Sequence, residues 1–174
     1  MRVTAAIGLI GVGLLLAGCG SGTVSGDADA QGTAAGEPVF SPCDDIPDQV
    51  LVELGLDPAT ESRDILGVSQ PGWKLCRWDG KGYILTVFST TRSLEEVREN
   101  SRNTDFREQF VGGREAFSYH ERADTRQASC DVAVKSRDGA AIVRVTLSVV
   151  DPAAADRCQL AVDSMNTLES GIPR

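Results

Sequence analysis

The sequence predicts an α+β fold: an antiparallel sheet of about five strands with three packed helices, in a two-layer sandwich. Three observations predict it. Two segments alternate apolar and polar residues on either side of an Asp-Gly pair; three others carry helix-start signals beside apolar stripes; and four cysteines form an even set between residues 43 and 158. The element order is helix, two strands, helix, three strands, helix.

The first helix is expected over residues 43–56, CDDIPDQVLVELGL. Asp44 and Asp45 complement the positive end of its dipole, Pro47 suits a first turn, and Gly55 ends it. Val50, Leu51 and Leu54 form its apolar stripe. KLCRWDGKGYILTVFS then reads as a hairpin turning at Asp79-Gly80. Ser93-Leu94-Glu95-Glu96 is a capping-box sequence that opens a second helix carrying Leu94 and Val97. After Gly112-Gly113, REAFSYH is a third strand.

A second hairpin, CDVAVKSRDGAAIVRVTLSVV, follows. Its later strand sets Ala141, Val143, Val145, Leu147 and Val149 against Arg144, Thr146 and Ser148, which predicts a sheet with one wet face. Asp151-Pro152 is expected to open the last helix, burying Cys158, Ala161, Val162, Met165 and Leu168 and stopping at Gly171 and Pro173. Each half holds an Asp-Gly hairpin and a cysteine-bearing helix, a hint of pseudo-symmetry.

The N-terminal stretch has a different character. Met1 and Arg2 precede an uncharged apolar run from Ala5 to Leu16, of signal-peptide length and short for a membrane span. The run closes in Leu16-Ala17-Gly18-Cys19, which resembles the lipobox of bacterial lipoproteins. That resemblance implies a diacylglycerol on the Cys19 thiol, cleavage before Cys19, and a chain held at the extracytoplasmic face of the cell membrane. A diacylated cysteine anchors stably because each buried CH₂ is worth about 0.8 kcal/mol and two chains act together. Residues 20–38, GSGTVSGDADAQGTAAGEP, read as a flexible tether. The expected organisation is therefore a signal peptide over 1–18, a tether over 19–38 and a globular domain over 39–174.

With Cys19 assigned to lipid, Cys43, Cys76, Cys130 and Cys158 predict two disulfides in an exported chain. Of the three pairings, Cys43–Cys76 with Cys130–Cys158 is favoured, because each bridge then ties a helix to a strand in its own half. Zinc ligation wants close pairs such as C-x-x-C, and none occurs. The spacing of Cys43, Gly55-Leu56, Cys76-x-Trp78, Gly113–Phe117, Cys130-x-Val132-x-Val134 and Cys158 resembles an actinobacterial family of envelope lipoproteins of unknown function, of the LprB/LprC type. That family implies a secreted compact domain and supplies no catalytic residues.

The net charge of −8, with Lys and Arg scattered, argues against nucleic-acid partners. No phosphate-binding loop, dinucleotide fingerprint, H-E-x-x-H or calcium loop occurs, and no G-x-S-x-G marks a nucleophile. His120, the single histidine, reads as a partly exposed strand-end surface group. Asp44, Asp45 and Asp48 read as helix-dipole partners ahead of a calcium cluster. Cofactors and metals are not expected, and the chain is expected to be a monomer. Trp78 is expected to pack against a disulfide, while Trp73, after Pro71-Gly72, is expected at a loop edge. Tyr83, Leu85 and Val87 alternate with Ile84 and Phe88, so that strand is apolar on both faces. Either helices cover both sides, or one face lines a groove; Trp73 and Tyr83 are the candidate ligand-binding residues. The reading is a non-enzymatic, membrane-anchored envelope lipoprotein that binds an envelope protein, lipid or glycan. A hydrolase using dispersed carboxylates and a purely structural surface domain are the alternatives.

Overall fold

Two apolar strands of matched alternation meet at the centre of the sheet: β3 (Tyr83–Thr90) pairs antiparallel with β7 (Gly139–Leu147), from Tyr83 opposite Leu147 to Thr90 opposite Ala140. In this computed structural model, residues 36–65, 67–148 and 156–174 are described. The expected signal peptide, Cys19, most of the tether, Val149 and Asp151-Pro152 lie outside them. The chain divides into two units, Met1–Gln31 and Gly32–Arg174, and the described residues belong to the second.

Five further strands complete the sheet: β1 (Ser62–Arg63), β2 (Trp73–Asp79), β4 (Asn103–Val111), β5 (Arg114–Glu121) and β6 (Ser129–Ser136). The order is β1-β2-β3-β7-β6-β5-β4, with every neighbouring pair antiparallel. The helices are α1 (Pro42–Asp45), α2 (Asp48–Glu53), α3 (Leu94–Glu99) and α4 (Arg157–Leu168), with short 3₁₀ turns at Pro58–Thr60 and Glu169–Gly171. The expectation of five strands and three helices is therefore wrong, in both counts.

Each miss has a physical reason. β4 reads NTDFREQFV, with charges on both faces, because it is an edge strand with four of its nine residues exposed and only its two ends buried. Asp105, in the left-handed region at φ 57°, marks a bulge between Thr104 and Arg107 that shifts the alternation. β1 is two residues long and leaves no periodic trace. The expected first helix is divided because Pro47 lacks an N–H and forces Ile46 into extended backbone (φ −91°, ψ 116°). Pro47 thereby becomes the N-cap of a new helix instead of the first turn of an old one.

The register sorts the side chains into two faces. Cys76, Trp78, Leu85, Val87, Val132, Val134, Val143 and Val145 point to the first, under α1, α2 and α4, where Leu51, Ala161, Met165 and Leu168 complete the main core. The second face is only partly wet, which corrects the two-layer expectation. There α3 lays Val97 over Phe117, Tyr119, Ala133 and Ile142, with Phe106 stacked on Tyr119 at 5.7 Å. The Ser93 capping box opens α3, with Ser93 and Glu96 each accepting the other's backbone N–H. Gly139 lies so close to the Thr90 carbonyl that any Cβ there would overlap it, which suits the β6–β7 turn to glycine alone.

Cys43 is bonded to Cys76 and Cys130 to Cys158, joining α1 to β2 and α4 to β6. Trp78, fully buried, belongs to the same core cluster as Cys76. The bridges span 33 and 28 residues of sequence, each worth about 3–4 kcal/mol in the chain-entropy model. The double variant Cys43→Ala/Cys76→Ala should lose about 3 kcal/mol in urea unfolding, and the wild-type domain should show no thiol to alkylation until it is reduced. Labelling of two or more cysteines before reduction would contradict this pairing.

Candidate functional site

Helices seal the first face, while the second stays open between α3 and the 64–73 segment. A groove of about 640 Å³ lies there. Its apolar wall is Trp73, Leu75, Phe88 and Ile142, and its outer edge carries Ile65 and Val68, 52% and 60% exposed. Arg92, Glu96, Glu99, Asn100 and Arg102 form a polar rim, and Tyr119, Glu121, Asp131 and Arg144 line the groove from β5, β6 and β7. Strand alternation accounts for these positions. Leu75 pairs with Phe88 and Asp131 with Arg144, so all four side chains stand on the second face.

The polar end is a compact ionic knot. Arg144 donates from Nε to Asp131 Oδ1 at 2.8 Å and from a terminal nitrogen to Glu121 Oε1 at 2.7 Å. Its guanidinium also lies 5.4 Å from the centre of the Phe88 ring. Tyr119 stands opposite Asp131 in the β5–β6 ladder. Asp131 is fully buried, and its second oxygen, Oδ2, has no hydrogen-bond partner. Burial pushes the Asp131 carboxyl up to about 6, against the pull of Arg144. Burial draws the Arg144 guanidinium down, but the Asp131 carboxylate outweighs it and holds Arg144 charged. Tyr119 is raised by burial, with the Asp131 charge adding to it.

Trp73, expected exposed at a loop edge, is instead the first residue of β2, half-buried on the groove wall and edge-on to Phe88. Tyr83, the other candidate, lies away from the groove. It is buried on the first face, its hydroxyl donating to the Leu54 carbonyl. The cause is cross-strand register: Cys76 pairs with Val87, so the face bearing Trp73 includes Phe88 and excludes Tyr83. Of the two options for the doubly apolar β3, the open-groove option describes the Phe88 side.

His120 is half-buried beside the Cys130–Cys158 bridge, with Nδ1 2.8 Å from the Ser129 carbonyl and Nε2 3.6 Å from Cys158 Sγ. It is partly exposed near the end of β5, as expected. Among the described residues, the two clusters with metal-ligand residue types, around His120 and around Glu61, both include sulfurs already joined in disulfides. Asp44 accepts two hydrogen bonds from Arg63, at 2.8 and 3.0 Å, tying α1 to β1. Those bonds, with a third from the Ser41 hydroxyl, hold its carboxyl well below the usual carboxylate range. Asp45 accepts the Ser41 N–H. No helix among the described residues is long and apolar enough to cross a membrane.

Sequence reasoning passed over Asp131, Arg144, Tyr119 and Glu121. A signal was present: Asp131 is the one acid in β6, whose other charge is Lys135 near its end, and Arg144 is the one charge in β7.

A family model described as "Protein of unknown function (DUF3558)" matches residues 14–170. No curated protein and no solved structure matches the chain.

The raised Asp131 carboxyl has a consequence for stability. Between about pH 4 and about pH 6 the folded chain keeps a proton at Asp131 that the unfolded chain has released. The Asp131 contribution is therefore largest below that window and declines as pH rises through it. The wild-type melting temperature, less that of Asp131→Asn, should fall across the same window and level off above it. A difference that is flat or rises with pH would contradict the assignment.

Proposed function

The chain belongs to the DUF3558 family, and on that premise we propose that it is a non-enzymatic envelope lipoprotein, anchored through lipid on Cys19, whose domain takes an amphipathic envelope molecule into the groove. The observation that carries the binding half is the asymmetry of the sheet. One face is sealed by α1, α2 and α4, whereas the other leaves Trp73, Leu75 and Phe88 lining an open groove beside a charged end. A groove with an apolar wall and a few convergent polar groups is the usual form of a small-molecule site. Ile65 and Val68 extend the apolar surface outward, as an acyl or alkyl ligand requires.

Support for the anchor comes from the Leu16-Ala17-Gly18-Cys19 sequence after an apolar run, and from a family match that begins at residue 14 and so takes in these four residues. The same sequence pattern supports a diacylglycerol carrying palmitate-type chains and an extracytoplasmic location. An envelope protein or a glycan alone is the competing occupant.

Hydrolysis has one specific observation in its favour, the raised Asp131 carboxyl next to Glu121. The ion pairing argues against it. Arg144 holds one oxygen of Asp131 and one of Glu121, so neither carboxyl of the pair stands free as a nucleophile or general base.

Two measurements test the proposal. Cys19→Ser should abolish incorporation of labelled fatty acid in a lipoprotein-processing bacterial host and leave the precursor uncleaved; equal labelling of variant and wild type would overturn the anchor. Trp73→Ala should weaken Nile red binding by about tenfold, the scale expected for losing a large aromatic contact. Unchanged binding in the variant, or none in the wild type, would overturn the groove reading.

A further inference from the structure

We propose that the groove selects an uncharged amphiphile by its hydroxyl head, with Asp131 as the hydrogen-bond acceptor; this rests on the groove being a binding site. The carrying observation is the free Oδ2 of Asp131, which lacks a partner although the residue is fully buried. Arg144 satisfies only Oδ1. A buried carboxylate oxygen without a donor is costly. Asp131 lines the groove, which puts that oxygen on the ligand's side of the sheet. A ligand that brings a donor removes the deficit.

Charge narrows the class of donor. Asp64, Glu96, Glu99 and Glu121 line the groove with Asp131, whereas of its three arginines Arg144 is shared between two acids and Arg92 is paired with Glu96 at 2.9 Å. The resulting field opposes an anionic head. An ammonium head would stand near the Arg144 guanidinium and would lose more hydration on entering. A hydroxyl incurs neither cost, and it donates to the free oxygen while its apolar chain covers Leu75, Phe88 and Ile142.

The test titrates the full-length protein in phosphatidylcholine vesicles with hexyl glucoside, hexyl sulfate and hexylammonium, read by Trp73 fluorescence. Trp78, buried on the other face, supplies a constant background. Hexyl glucoside should bind about tenfold tighter than either charged probe, and Asp131→Ala should bring the three within about twofold of one another. Equal affinity for the three heads, or a preference unchanged in folded Asp131→Ala, overturns the assignment while leaving the groove itself in place. Absence of binding by all three overturns the groove reading and this inference with it. If Asp131→Ala fails to fold, by circular dichroism, the wild-type series of head groups decides alone.

Discussion

The pairing of β3 with β7 is the constraint on which the remaining structure depends. It joins two hairpins that are far apart in sequence, and its register fixes the parity of every strand outward from the centre. With Val87 opposite Val143, the valines of β3, β6 and β7, with Leu85, Cys76 and Trp78, fall on one face and form a continuous core for α1, α2 and α4. The same register turns Phe88, Ile142 and Arg144 the other way. A slip of one residue would bury Arg144 under α4 and expose Val143, so the core and the ionic knot specify each other. The groove is the complement of a core whose apolar residues are committed to the opposite face.

Much of this was legible in the sequence. Both long hairpins, the capping box at Ser93, the buried stripe of α4 and the distinct status of Trp78 follow from local rules about periodicity, caps and turns. What escaped depends on partners that local rules do not contain. β4 lies at the edge and carries charge on both faces, so no alternation announces it. Tyr83 and Trp73 look equivalent as aromatics near one cysteine, and only the cross-strand register assigns them to opposite faces. Asp131 and Arg144 were within reach of a turn argument. Once Ser136 faces Gly139, counting outward along both strands brings the two charges opposite each other. Two opposite charges that the register sets across from each other in largely apolar strands are thus a better pointer to the groove than the aromatic residues were.

Asp131 also illustrates why a buried ion pair is not by itself a device for stability. Replacing such a pair by apolar residues is often neutral, because desolvation cancels most of the attraction. Here the pair leaves one acceptor unused, and burial raises the carboxyl in spite of the guanidinium beside it. Natural cores rarely tolerate such a deficit without a use for it. The binding proposal gives the deficit a use and accounts for the arginine as well, since Arg144 fixes the orientation of Asp131 and presents its second oxygen.

Both covalent bridges attach helices of the sealed face, α1 to β2 and α4 to β6. The layer beside the groove has a different fastening: α3 is held by its capping box, by Val97 and by the bidentate pair between Arg98 and Glu108. The domain consequently has a stiff back and a compliant front. Loosening α3 would widen the groove at the cost of a few contacts, while the cross-linked half keeps the sheet's shape. Such a division lets a domain admit a bulky guest by local breathing without approaching global unfolding.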